Sequence, residues 1–349
     1  MTTPCTCTEG VLVGIGNPLL DISANVEPEL LTKYGLEPDG AIMAGKKHMP
    51  LYKELMKTYE VEFIAGGSVQ NSLRAAQWIL NKPKLTTYFG CVGDDDYAKI
   101  LKDRAEAEGV NVMYQVTEEA PTGTCAVLVT GLHRSLCANL AAAQKFTPDH
   151  LAKEECKKAI ETAKFFYASG FFVAVSPESI MQLAQHAHDN GHFFIMNLSA
   201  PFVAEFYKDQ LEKLLPYVDV LFGNTVEWEG FAKQFGVEYT QVREIGLWAA
   251  RYNKLNVLRK RVIVITQSAN PVILVEDGAI EHIIVKKLDK KDIVDTNGAG
   301  DAFVGGFLSQ MVLGKPYRTC VECGVYTARH VIQHSGCSFT GKSDFKESS

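Results

Sequence analysis

Seven residues, Asp295-Thr-Asn-Gly-Ala-Gly-Asp301, run directly into the apolar stretch Ala302-Phe-Val-Gly-Gly-Phe307 and constrain this chain more than any other part of it. Small residues in a turn let the backbone approach a neighbour or ligand closely. The helix that follows presents N–H groups without intrahelical partners and the positive end of its dipole. That combination seats an anion, most naturally a phosphate. Asp301 is the odd member, because a carboxylate repels phosphate. It fits a base that takes a proton from a hydroxyl attacking that phosphate. A bare G-x-G-D stretch equally fits a plain turn with a first-turn acid. The length of this one, and the apolar helix after it, favour the phosphate seat.

The chain has 349 residues, 46% hydrophobic and 22% charged, as expected of a globular protein with a full core. Its net charge of −6 argues against a nucleic-acid or anionic-membrane partner. The polar N-terminus lacks the apolar segment of a secretory signal, and no run is long enough to span a membrane. Nine scattered cysteines fit reduced thiols in the cytoplasm, with the nucleus as the alternative compartment. Cys320-Val-Glu-Cys323 has redox spacing but sits in a helical pattern. Cys5-Thr-Cys7 sits in a polar tail.

Strand-like and helical patterns alternate along most of the chain. Val11–Ile15, Thr86–Cys91, Phe165–Ala168, Phe193–Asn197, Val218–Phe222 and Val262–Thr266 read as strands. Ser68–Leu80, Tyr97–Glu108, Glu178–Asn190, Ala204–Leu215, Thr225–Phe235, Asp301–Leu313 and Tyr317–Gln333 read as helices. Pro271–Val285 reads as a hairpin around Asp277-Gly278. Continuous apolar strands alternating with helices predict an α/β fold, with a mostly parallel sheet covered on both faces. Two segments break the pattern with short β-like pieces and turns. Residues 21–64 and 117–138 are therefore expected to form a small lid, and 1–20, 65–116 and 139–349 the large catalytic domain. A lid would keep water from a reaction that must not hydrolyse its donor.

Four constellations fit the phosphate seat. Asn17 and Asp21 follow the first strand, where ligands of open parallel sheets bind, and a carboxylate there can accept from two vicinal hydroxyls. Gly66-Gly67-Ser68 opens a helix with Asn71 in its first turn, as a hinge, a binding turn or both. Asn224 and Glu227 share a face at a helix start. They suit either water-retaining Mg²⁺ or a simple N-terminal cap. Arg134 lies on the expected lid, where it could close over a transferring phosphoryl group. Gly336-Cys-Ser-Phe-Thr-Gly-Lys-Ser343 spells a P-loop, yet it follows a helix and no helix is expected after it, so phosphate binding there is not expected.

Taken together these motifs resemble the ribokinase-like (PfkB) carbohydrate kinases. Asp295–Asp301 is similar to that family's signature, and Gly66-Gly67-x-x-x-Asn71 to its N-terminal one. Gly16-Asn-Pro-Leu-Leu-Asp-Ile-Ser23, Pro121-Thr-Gly-Thr-Cys125, Asn197-Leu-Ser-Ala-Pro-Phe202 and Gly305-Gly-Phe-Leu-Ser-Gln310 resemble, more narrowly, the members that phosphorylate adenosine. The likeness implies a Rossmann-like domain with an α/β lid, and transfer of the γ-phosphoryl group of ATP to the 5′-hydroxyl of adenosine. It implies Asp301 as base, with Gly298, Ala299 and Gly300 as the anion hole. It implies Asp21, Gly67 and Asn71 at the ribose, with Asn17, Gly66 and Ser68 expected beside them in the substrate site. Phe172 would stack on adenine, with Leu19, Leu136 and Phe202 around it. Arg134 would reach the phosphates, Asn224 and Glu227 would organise Mg²⁺, and Thr266 and Asn297 would lie along the ATP. A monomer is expected.

Overall fold

The computed structural model describes residues 7–38, 40–131 and 133–347, so Cys5 lies outside them. Among these residues the strands are β1 (Leu12–Ile15), β2 (Leu19–Asn25), β3 (Ala41–Met43), β4 (Glu62–Gly66), β5 (Thr86–Gly93), β6 (Asn111–Thr117), β7 (Thr124–Thr130), β8 (His133–Asn139), β9 (Phe165–Ser169), β10 (Phe193–Asn197), β11 (Val220–Asn224), β12 (Val262–Gln267), β13 (Asn270–Glu276) and β14 (Ala279–Ile283). Nine of them build one sheet in the order β14-β13-β12-β11-β10-β9-β1-β5-β6. It is parallel from β12 to β6, and the β13–β14 hairpin adds antiparallel to its edge. The other five form a mixed sheet, β3-β8-β7-β2-β4.

The central strands are apolar on both sides because both faces of the large sheet are covered. Val13, Ile15, Phe166 and Ala168 belong to one core. Their alternating neighbours Leu12, Phe165, Tyr167 and Ile195 belong to the other. The small sheet is covered on one side, where Ile22, Ala126 and Leu128 pack against Leu30, Leu31, Leu51 and Leu55 from the helices Pro28–Tyr34 and Met49–Thr58.

The helix Ala299–Val312 is wedged between the helices Ser68–Leu80 and Tyr317–Val331. Two adjacent glycines make this possible. A side chain at Gly305 would collide with the Ser72 carbonyl, and one at Gly306 would stand 2.6 Å from the Cys323 carbonyl. The three helices therefore pack almost backbone to backbone.

Most predicted elements form, with shifted ends. Ala204–Leu215 is not one helix but two, Pro201–Phe206 and Lys208–Leu214, joined at Tyr207. β11 starts at Val220 rather than Val218. Cys320 and Cys323 lie buried in the Tyr317–Val331 helix, and Gly336–Ser343 opens no helix. No described helix is long and apolar enough to cross a membrane.

Candidate active site

The expected site residues gather at the carboxyl ends of the parallel strands, where the strand order reverses between β1 and β9. One pocket there is lined by Ser68, Phe171, Asn197, Ser199, Asn224, Glu227, Thr266, Gly300 and Asp301, among others.

Asp301 occupies the first turn of the Ala299–Val312 helix, whose N-cap Gly298 has φ +74°. Only glycine takes that conformation without strain. Ser68 Oγ donates to Asp301 Oδ1 at 2.7 Å, and Asn71 Nδ2 to Oδ2 at 3.1 Å. Burial raises the Asp301 carboxyl to about 6, although both hydrogen bonds favour its ionised form. Beside it, a Cβ built on Gly300 meets nothing within 4 Å, so the turn opens onto free space. The Ala299 N–H makes a long bond, 3.3 Å, to the Thr296 carbonyl.

Asp21, expected just past the first strand, lies within β2, opposite Ile64 of β4 and Cys125 of β7. Its carboxylate rests against Gly66, in the space a side chain there would need. Burial pushes it to about 7. The Arg74 guanidinium opposes that rise, and the nearby Asp301 and Asp295 add to it. Asn17 is buried, and its carbonyl lies against Gly67. Among the described residues its Oδ1 has no hydrogen-bond partner. A buried acceptor left in this state invites a ligand hydroxyl. Leu19 begins β2 opposite Gly66, and Leu136 sits on β8 beside Ala41.

Arg134, on β8 of the small sheet, crosses to the large one. Its Nε lies 2.7 Å from Asp295 Oδ1. The same carboxylate accepts from the backbone N–H of Asn297 (2.8 Å) and of Gly336 (2.8 Å). One aspartate thus ties together a strand of the small sheet, the turn before the Ala299–Val312 helix and the C-terminal segment.

Asn224 and Glu227 realise the capping reading. Glu227 N–H donates to Asn224 Oδ1 (2.9 Å), while Asn224 N–H and Nδ2 donate to the two Glu227 oxygens (3.0 and 2.7 Å). Asn224 is thereby engaged as a cap. Glu227 still faces the pocket. Burial, with a contribution from Asp301, raises it to about 7 despite the Asn224 backbone bond. A carboxylate such as Glu227 on this pocket fits a hydrated divalent cation, which needs only one or two protein oxygens besides phosphate. The described residues hold no cluster of three or more metal-ligating side chains.

Phe172 corrects the sequence reading. Its ring is fully buried, edge-on to Phe146 in the core. In the short helix Gly170–Val173 it is the neighbouring Phe171 that faces the pocket, tilted against Phe202 at 5.9 Å. Sequence reasoning also missed Asn197, whose signal was its place at a strand end, and Arg74, a charge one turn beyond Asn71 on an apolar helix. Arg74 reaches Asn71 Oδ1 (3.2 Å), the Ala65 carbonyl (2.6 Å) and both oxygens of Glu108.

Comparison with known proteins agrees with this arrangement. The sequence model of the pfkB family carbohydrate kinases matches residues 31–343. The chain is 50% identical to adenosine kinase 2 of Arabidopsis thaliana, over 97% of this chain and 98% of that one. The adenosine kinase of Anopheles gambiae, solved with a di(adenosine-5) tetraphosphate, superposes with a TM-score of 0.92 at 54% identity, covering 97% and 100% of the two chains. That of Schistosoma mansoni, solved with adenosine, gives 0.90 at 33%, covering 96% and 98%.

Proposed function

The chain belongs to the pfkB family of carbohydrate kinases, and from that premise we propose that it is an adenosine kinase with Asp301 as its general base. It transfers the γ-phosphoryl group of ATP to the 5′-hydroxyl of adenosine, giving AMP and ADP, the reaction of purine salvage. The observation that carries the assignment of the base is a half-buried carboxylate, held by Ser68 and Asn71, in the first turn of a helix whose N-terminus opens onto free space.

Asn17, Asp21 and Asn71 hold the ribose, with Gly66 and Gly67 allowing its close approach. Asp301, titrating near 6, is mostly ionised at neutral pH yet basic enough to accept a proton. It takes the 5′-hydroxyl proton as that oxygen bonds to the γ-phosphorus and the bond to the ADP oxygen breaks. The Gly298 and Gly300 N–H groups and the helix dipole hold the oxygens of the group in transit. Arg134 lies one residue contact from that turn, through Asp295, and offsets the developing charge. Thr266 and Asn297 lie along the ATP. Mg²⁺, held through Glu227 and its waters, would neutralise phosphate charge. The small sheet acts as the lid that keeps water out.

The free thiols from Cys91 to Cys337 support a reducing compartment, and the cytoplasm is our assignment. We assign a monomer as the working form.

The test is an ATP-dependent assay with adenosine, guanosine, inosine and fructose side by side. ADP formation with adenosine far above the others is expected. Faster turnover of fructose would overturn the acceptor assignment, and no turnover with any of them would leave a nucleoside-binding protein.

A further inference from the structure

Between the proposed base and the hinge lies a buried charge that the transfer mechanism does not use. Arg74 belongs to the Ser68–Leu80 helix, and its side chain is 3% exposed. Its Nε and one terminal nitrogen bind Glu108 (2.7 and 2.6 Å). Its other terminal nitrogen binds the Ala65 carbonyl and Asn71 Oδ1. Asn71 Nδ2 in turn meets Asp301 Oδ2.

We propose that Arg74 is a positioning residue for the transfer reaction: it fixes the Asn71 amide so that the NH2 group, and not the oxygen, meets the Asp301 carboxylate. The chemistry allows one arrangement. A guanidinium only donates and a carboxylate only accepts, so an amide bridging the two must turn its oxygen to Arg74 and its nitrogen to Asp301. Without Arg74 the amide is free to flip and set its oxygen against the carboxylate. Glu108 and the Ala65 carbonyl anchor the guanidinium from the far side, so the bridge is held at both ends. The Ala65 bond also ties it to the residue before Gly66-Gly67. The inference rests on Asp301 being the base.

Loss of the Asn71 donor should make Asp301 harder to ionise. The Asp301 charge in turn reaches titratable groups on the elements around it: Asp21 on β2, Glu227 on the Thr225–Phe235 helix, Tyr167 on β9 and Cys337 in the C-terminal segment. Arg74→Met keeps these side chains but removes the cation that lowers Asp21 and Cys337, so Arg74→Lys, which keeps the charge, separates the amide's orientation from that field.

The experiment compares wild type, Arg74→Met, Arg74→Lys and Glu108→Gln in the intact chain. The Asp301 carboxyl is titrated by NMR in the free protein, and kcat for adenosine and ATP is followed against pH. Arg74→Met should raise the Asp301 titration and the acid limb of kcat together, by about half a unit or more. Arg74→Lys, which keeps charge but not the fork, should fall between. Glu108→Gln should lower Tm and leave both titrations where they are. If Arg74→Met and Arg74→Lys reduce kcat equally at every pH, with Asp301 titrating as in wild type, Arg74 is only a structural anchor and the proposal fails. If Arg74→Met does not fold, Arg74→Lys against Glu108→Gln decides. A shifted NMR titration in a protein without kinase activity would uphold the positioning and overturn the base assignment instead.

Discussion

Arg134 Nε lies 2.7 Å from Asp295 Oδ1, with the two side chains 10% and 0% exposed. A strand of the small sheet and the turn that opens the phosphate site therefore share one buried ion pair. Arg134→Ala should act twice. Loss of a cation at the site should lower kcat/KM for transfer by roughly 10²–10³-fold, as for other transition-state charge donors. The stranded Asp295 should also cost about 3–5 kcal/mol of stability, the usual penalty for half of a buried pair. Steady-state kinetics and thermal unfolding of the same preparation check both. Wild-type values in each would show that the pair serves neither transfer nor stability.

Asp301→Asn should leave adenosine affinity intact and lower kcat by about 10²–10⁴-fold, the usual share of a positioned base. Isothermal titration with adenosine beside turnover separates the two effects. Near-normal turnover in the variant would remove Asp301 as the base.

The same substitution should stabilise the protein at neutral pH. Folded Asp301 titrates near 6, and Asp21 and Glu227 near 7, all above the ordinary carboxylate range. A raised folded value favours the protonated form, so the stability these groups contribute is complete below about pH 4 and is lost as pH rises through 6 to 7. Asp301→Asn escapes that loss. Its unfolding free energy should exceed wild type by on the order of 1–3 kcal/mol at pH 7.5, with the gap closing near pH 4. Urea unfolding at the two pH values measures it.

Phe171 and Phe172 should respond to truncation in opposite ways. Phe172→Ala opens a hole in the core and should cost about 3–5 kcal/mol. Phe171→Ala should leave Tm within a few degrees and raise KM, since its ring faces the pocket. Equal losses of stability would mean that both rings serve the core.

How much of this was legible beforehand depended on whether a feature is local. β9, β10 and the Thr225–Phe235 helix follow from uninterrupted apolar runs or clean helical spacing, and they formed where expected. The Glu154–Thr162 helix was missed because its sequence, Glu-Glu-Cys-Lys-Lys-Ala-Ile-Glu-Thr, is mostly solvent-facing and shows one deeply buried side chain. The turn at Gly298 and the helix it opens were legible because their residues are contiguous. Which of two adjacent phenylalanines faces a ligand was not, since a single helical turn sends them opposite ways. The pairing of Arg134 with Asp295 joins distant segments through tertiary packing, and neither residue carries a local mark of it.

Gly305 and Gly306 have a consequence for motion. Gly305 brings the helix bearing Asp301 into backbone contact with the helix bearing Ser68 and Asn71, and Gly306 does the same against the Tyr317–Val331 helix, so neither helix can shift without a clash. Asp301 and its two donors are thus mounted on a tightly packed seam, and movement is left to the small sheet across the cleft. Backbone amides along that seam should exchange with deuterium near the rate of global unfolding, while those of β3 and β8 exchange far sooner. Temperature would then slow or speed the enzyme through how often the cleft opens, with the alignment of the base unchanged until the whole chain melts.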